Sequence, residues 1–254
     1  MSIEAPNHIK FQSIATIPIQ TSRGLEKNLD FQQFLQKEAG QYKSRADVSP
    51  KSPKMNTVWL EYNSGSKKHT QDALDNMKSL KKDGLLKFTN IKPYDQSFEM
   101  VLNGLKKTPH MRHLIIRNSS LAVNHIANIS RVLQLNDGIA WLVLDHNKID
   151  DRGVKNLSEG IKNSKSLKHV VLADNSITDE GMIELSNAIK GSNSIESLWV
   201  QGNQISDNGA EALVNVMKGH PSLKTIDIRD NSISEGKLSL IKSICEQNNI
   251  RCYG

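Results

Sequence analysis

Apolar residues sit at Leu167, Val170, Leu172 and Ile177 and return 28 residues later at Ile195, Leu198, Val200 and Ile205, with Asn175 and Asn203 in matching places. Val170 and Leu172, like Leu198 and Val200, are two positions apart, so they share one face of a short strand while their neighbours take the other. After each Asn the spacing changes. Val154, Leu157 and Ile161, then Met182, Leu185 and Ile189, then Ala210, Leu213 and Met217, then Leu238, Ile241 and Cys245 recur at i, i+3 and i+7, one face of a helix. Asp150, Thr178, Ser206 and Ser234 stand where each helix begins and are expected to cap its free N–H groups, with Asp or Glu in the first turn.

The same register extends in both directions. Residues 138–165 carry Leu142, Leu144, Asn147 and Ile149, and residues 222–249 carry Ile226, Ile228, Asn231 and Ile233. Unit 110–137 keeps Leu114, Ile116 and Leu121 but places Ser119 in the Asn slot. Unit 82–109 keeps Leu86 and Phe88 but has Ile91 and Pro93 in the last two slots, and unit 54–81 offers Val58, Leu60 and Asn63. With 166–193 and 194–221 this makes seven units over 54–249, four regular and three degenerate. A strand and a helix of this length cannot bury both their apolar faces alone, so the units are expected to stack around one continuous core.

Leu167, Val170, Leu172, Asn175 and Ile177 spell a pattern that closely resembles the leucine-rich repeat, and the 28-residue period with a full helix resembles its ribonuclease-inhibitor subfamily. The resemblance implies an α/β solenoid: a right-handed βα horseshoe with a parallel sheet on its concave face and helices on its convex face. It also implies that Asn63, Asn147, Asn175, Asn203 and Asn231 are structural, their amides satisfying backbone groups at the turn after each strand. Proteins of this type bind protein partners in the concave face. The Lys, Asn, Ser and Ile bias further resembles leucine-rich-repeat effectors that intracellular bacterial pathogens deliver into host cells. That implies a host protein or another effector as partner, a monomer apart from that partner, and a cytoplasmic setting, reached by secretion into the host cell.

The repeat phase assigns the outward strand positions to three rows. The first contains His113, Trp141, His169, Ser197 and Thr225; the second Trp59, Lys87, Ile115, Val143, Val171, Trp199 and Asp227; the third Arg117, Asp145, Ala173, Gln201 and Arg229. All three tryptophans of the chain fall on this surface and none in a core slot. Val143 and Val171 alone would reflect strand propensity. Tryptophans projecting into solvent from neighbouring strands, with Arg and Asp around them, instead have the composition of a protein-binding surface. The expected binding residues are therefore Trp59, Trp141, Trp199, His113, Ile115, Arg117, Val143, Asp145, His169, Val171, Gln201, Asp227 and Arg229. His113 and His169 stand two strands apart, too far to share one zinc, and are expected to make polar interface contacts rather than hold a metal.

Composition narrows the alternatives. The net charge is +6, yet residues 110–254 hold sixteen basic and sixteen acidic residues, so the excess lies upstream in pairs such as Lys67-Lys68, Lys81-Lys82 and Lys106-Lys107. Lys78, Lys106, Lys162, Lys190 and Lys218 share the slot near the helix end, where a cation complements the helix dipole. Polyanion binding through the early units is therefore an alternative reading of lesser weight. A second alternative is a GTPase regulator that supplies Arg117 or Arg229 to its partner; the acidic tail of the Ran GTPase-activating proteins is missing. No nucleophile elbow, phosphate loop or zinc-binding helix is present, and Asp145-His146 with Asp174 are ordinary turn residues, so no catalytic role, cofactor, metal or small-molecule substrate is expected. Cys245 and Cys252 are too few for a disulfide framework; Cys245 fills a helix-core slot as a reduced thiol, although a bridge between the two is conceivable. No apolar run approaches a membrane span or a secretory signal. Residues 44–54, with Pro50 and Pro53, read as a linker, preceded within 1–53 by a tail or cap in which Leu25, Leu29, Phe34 and Leu35 could line a short helix, while 250–254 close the array as a strand or cap.

Overall fold

The computed structural model describes residues 59–63, 74, 75, 77, 84–93 and 95–254, with the backbone alone at 59–63 and Thr89. The predicted tail and linker, the helix around Leu25 to Leu35, and Lys67, Lys68, Lys78, Lys81 and Lys82 lie outside the described residues. Asn56–Gly254 is a compact unit by itself.

Eight strands build one parallel sheet in sequence order: β1 (Trp59–Asn63), β2 (Gly84–Thr89), β3 (Met111–Arg117), β4 (Trp141–Val143), β5 (His169–Val171), β6 (Ser197–Trp199), β7 (Thr225–Asp227) and β8 (Arg251–Tyr253). From β2 to β7 a helix follows each strand: α1 (Gln96–Leu105), α2 (Val123–Leu135), α3 (Asp151–Asn163), α4 (Asp179–Lys190), α5 (Asp207–Met217) and α6 (Glu235–Gln247). The helical residues Leu74, Asp75 and Met77 lie between β1 and β2. Leu114, Leu142, Val170, Leu198 and Ile226 pair in one row under the sheet. They join Val154, Leu157, Ile161 and their equivalents on the helices in a single apolar core. This is the stacked arrangement that the two periodicities require. Close approach of α3 to α2 leaves no room for a side chain at Gly160, whose added Cβ would lie 2.6 Å from the Ser130 carbonyl oxygen.

Two hydrogen-bonded ladders tie the repeats together. In the first, the Asn175 amide donates to the carbonyls of Leu144, Leu172 and Ala173 and accepts from the Asn147 and Ile149 N–H groups. Asn203 and Asn231 repeat this toward the C-terminus. In the Asn slot of the degenerate unit, the Ser119 hydroxyl accepts from Ile91 N–H and donates to the Arg117 carbonyl. Asn147, Asn175, Asn203 and Asn231 are thus the structural residues that the resemblance implied, whereas Asn63 stands outside the ladder's slot.

The second ladder modifies the expected caps. Asp150 accepts from Gly153 N–H and Ser234 from Lys237 N–H, as caps of their own helices, but Thr178 makes no such bond with its side chain. Its hydroxyl and N–H both donate to Asp151, whose carboxylate also accepts from Gly181 N–H in the first turn of α4. Asp179 receives Ser206, and Asp207 receives Ser234, in the same way. The first-turn acid of one repeat therefore serves the next helix, a bond that single-helix cap rules do not contain. Lys162 and Lys190 stand in the last turns of α3 and α4, as a dipole role requires.

The ends of the array depart from the expected phase. Trp59 pairs with Leu85 and Asn63 with Thr89, two residues short of the period. Trp59 therefore stands in the row of His113 and Trp141, not in that of Trp199, and Asn63 stands in the third row rather than the structural Asn slot. The last step is shortened equally, with Thr225 opposite Arg251, so residues 251–253 form an eighth strand. Cys252 on it meets Cys245 of α6. Both are free thiols, and the hydrogen bond between them pushes Cys245 up, together with its burial, and pulls Cys252 down against its own burial.

Candidate protein-binding face

The sheet face opposite the helices carries the predicted rows. Pairing aligns Leu85, His113, Trp141, His169, Ser197 and Thr225 in the first and Lys87, Ile115, Val143, Val171, Trp199 and Asp227 in the second. Backbone bonds continue the alignment into the third row, from His146 N–H to the Ala173 carbonyl, from Asp174 to Gln201 and from Gly202 to Arg229. Trp141, Val143, Val171, Ala173 and Trp199 are buried, yet none belongs to the helix-side core. Parity of the strands thus separates two apolar populations, one on each side of the sheet.

The tryptophan rings lie on the predicted face but do not project into solvent: Trp141 and Trp199 are each only 6% exposed. Their strands are separated by β5, a backbone spacing of about 10 Å, yet the two rings stack with centroids 5.7 Å apart. They therefore lean toward one another over β5, where Val171 is wholly buried. The His169 imidazole stacks on Trp141 at 3.7 Å, and His113 lies on that indole at 6.2 Å. Rings laid along a sheet recover face-to-face contact that upright rings would leave to water. Burial pushes the His169 imidazole down to about 4, so it is neutral at pH 7. Among the described residues no group of three His, Cys, Asp or Glu is arranged to hold a metal.

The third row is ionic. Arg117 donates through Nε and a terminal nitrogen to Asp145 Oδ2 at 2.8 and 2.7 Å. His146, at φ +60°, approaches the same oxygen at 3.1 Å and Asp174 Oδ2 at 3.5 Å. Its hydrogen bond to Asp145, and then the Asp174 charge, raise the imidazole above its ordinary value, while burial raises the Asp174 carboxyl. Across the row, Arg229 forms a fork with Asp227, with contacts of 3.0 and 2.6 Å, and lies 5.4 Å over the Tyr253 ring. Both arginines are thus engaged with carboxylates, which disfavours either as a group handed to a partner's reaction centre.

Most of the binding residues expected from sequence that the structure describes in full fall into two clusters: the ring stack of His113, Trp141, His169 and Trp199 over Val171, and a polar cluster of Arg117, Asp145, Gln201 and Arg229 from the third row with Asp227 from the second. Ile115 and Val143 lie between them in the second row. Trp59 shares the face by register only. Tyr253 was missed, because the shortened last step hides it from a fixed period; sliding that unit by two residues would have placed it beside Asp227.

The family model for the leucine-rich repeat matches residues 142–158, 163–186 and 191–214. No curated protein matches the sequence. Among solved structures, the actin-binding site 2 of leiomodin-1 superposes with a TM-score of 0.51 at 17% identity, over 58% of this chain and 86% of that one, a likeness of fold alone. A Bacteroides fragilis protein aligns at 12% identity over 87% of this chain and 83% of its own, with a TM-score of 0.34 that is too low to inform the fold. No described helix is long and apolar enough to cross a membrane. With the repeated Asn ladder, the ordered parallel sheet and a full helix in each regular unit, the chain has the fold of a leucine-rich-repeat solenoid and is similar to leucine-rich-repeat proteins of the ribonuclease-inhibitor type.

Proposed function

We propose that this protein is a non-catalytic binding module that takes one partner protein on the sheet face opposite its helices, around Trp141, His169 and Trp199. One observation supports the reading: aromatic rings and desolvated polar groups gather on the sheet face opposite the described helices, outside the helix-side core. The helix side already has its core. Aromatic anchors flanked by Arg and Asp supply large contact area and directional bonds, the features that dominate protein interfaces. As in the effectors whose composition it resembles, the partner is a host protein or another effector met in the host cytoplasm, and covering it would regulate or inhibit it. The protein is a monomer until then.

The test is capture of partners from host and bacterial lysates with three proteins in parallel: wild type, a Trp141→Ala/Trp199→Ala variant, and a Lys155→Glu/Lys162→Glu variant on exposed positions of α3. A partner retained by the helix variant and lost from the indole variant is expected. Loss from the helix variant alone would move the docking surface to the other side of the molecule. A Trp199→Phe variant, which keeps an aromatic ring in the stack, controls for folding.

A further inference from the structure

Cys245 and Cys252, the only cysteines of the chain, are brought together by the turn between α6 and β8. Asn248 caps α6, Asn249 follows at φ +55°, and Ile250 N–H then donates to the Cys245 carbonyl at 2.8 Å. This is the helix ending in which a left-handed residue folds the chain back over the last turn. Ile250 is buried, and Cys252, two residues further along the extended chain, takes the same face. Its register agrees, because it stands opposite Ile226 of the helix-side core. The two thiols hydrogen-bond to each other, with Met217 Sδ 3.6 Å from Cys245 Sγ.

The two sulfurs are not equivalent. Cys245 is buried, in the slot that Met217 fills one repeat earlier, whereas Cys252 is partly exposed on β8, the last strand in the sheet order. The hydrogen bond from Cys245, and then the exposed Lys242 ammonium, draw Cys252 below the ordinary thiol value against its burial, while Cys245 keeps its proton. A thiolate therefore forms first at the sulfur that an oxidant can reach, beside a second thiol able to resolve the adduct. Access is helped by the strand itself. β8 is three residues long and, among the described residues, pairs with β7 alone, so it opens more readily than the strands inside the sheet.

We propose that Cys245 and Cys252 are a redox-active dithiol, which a low-molecular-weight disulfide, here glutathione disulfide, converts into a bridge that clips β8 to α6. The Cys252 thiolate attacks one sulfur of the oxidant, breaking its S–S bond and releasing one glutathione thiolate. Cys245 then loses its proton, and its sulfur attacks Cys252 Sγ, breaking the mixed disulfide and releasing the second glutathione thiolate. Two protein thiols are oxidised to one disulfide, one glutathione disulfide is reduced to two glutathiones, and the two protons end on the released sulfurs. The consequence is structural. A solenoid needs its last core edge covered, and β8 supplies that cover, with Cys252 packed against the core and the Tyr253 ring beneath Arg229. Oxidation fixes the cover in place; reduction leaves it to the strand's own contacts. This inference is independent of docking on the opposite face.

The test exposes the reduced full chain to glutathione disulfide in native buffer, blocks the remaining thiols and digests with trypsin. Cleavage after Lys242 and Arg251 separates the cysteines, so a bridge appears as peptides 243–251 and 252–254 joined together. The expected result is this joined pair from monomeric protein, reversed by dithiothreitol. Amide exchange at Ile228, whose N–H donates to the Tyr253 carbonyl, should be slowed at least about tenfold in the bridged protein. Cys245→Ala should stop at a glutathione adduct on Cys252, and Cys252→Ala should take up none. The first two readouts use the unaltered chain, so they decide the matter even where Cys245→Ala does not fold. Thiols that stay free in the folded wild type, a bridge that forms only in urea, or a bridge that leaves Ile228 exchange unchanged overturns the proposal.

Discussion

The two faces of the sheet follow different rules. On the helix side the same kinds of side chain recur strand after strand: Leu114, Leu142, Val170, Leu198 and Ile226 in one row, with Ile116, Leu144, Leu172, Val200 and Ile228 beside them. On the other side the first and third rows change character from strand to strand, from His to Trp to His to Ser and from Arg to Asp to Ala to Gln to Arg. Repetition is what stacking needs, because each unit must fit the next one identically. Recognition needs the opposite, since a partner's surface does not repeat. The difference teaches that stability here is a property of the period and specificity a property of departures from it.

The strongest challenge to that division is Asn175→Ala. It strands the Leu144 carbonyl and the Asn147 and Ile149 N–H groups and removes one of two donors from the carbonyls of Leu172 and Ala173. Chemical denaturation should show a loss of roughly 4 kcal/mol, since each stranded buried group costs about 1–3 kcal/mol. A loss below about 1 kcal/mol would mean that the ladder is ornamental. Next comes Leu172→Ala, a buried member of the helix-side core, with an expected loss of about 3 kcal/mol and no change in a folded population's affinity for its partner.

The face opposite the helices can be probed by pH. His169 is held neutral, with its folded value down at about 4, so below the ordinary histidine value the unfolded chain takes a proton that the folded chain refuses. Stability contributed by the ring stack is present above pH ~6.5 and falls as pH drops toward 4, by on the order of 2 kcal/mol. A thermal-melt series should show this slope in wild type and lose it in His169→Gln. His146 has the opposite sign: raised by Asp145 and Asp174, it contributes fully below the ordinary value and loses its contribution as pH rises through its folded value. His146→Gln should therefore flatten the neutral-to-alkaline limb and leave the acidic limb alone. The smallest effect expected is that of Asp179→Ala. It releases Ser206 from the inter-repeat cap and should cost about 1 kcal/mol in denaturation, with the helix content of α4 itself unchanged.

Much of this division could be read from the sequence because both periods are short-range. Two apolar residues separated by one, then three at helical spacing, dictate strand and helix without reference to anything distant, and Asn175 marks the turn between them. The rows containing Trp141, Val171 and Trp199 followed from strand parity alone. Three features did not. Trp59 shifted rows because the first step is shorter than the period, and a degenerate unit offers no second copy of its phase to reveal the slip. The attitude of the indoles was hidden because alternation specifies which side of a sheet a ring takes but not whether it stands or lies. Trp141 and Trp199 lie down because each finds the other across β5. The cap given by Asp151 to the next repeat was invisible because cap rules describe one helix, whereas this bond joins residues 27 apart.

The claim that the unrepeated face is the working one is tested most directly by titrating the captured partner into purified wild type, Trp141→Ala/Trp199→Ala and Lys155→Glu/Lys162→Glu proteins by calorimetry. The indole pair should weaken binding by about thirtyfold or more, corresponding to a loss of about 2 kcal/mol at an anchor, with the helix-face pair indistinguishable from wild type. Equal affinity of the indole pair and wild type, with binding lost from the helix-face pair, would contradict it.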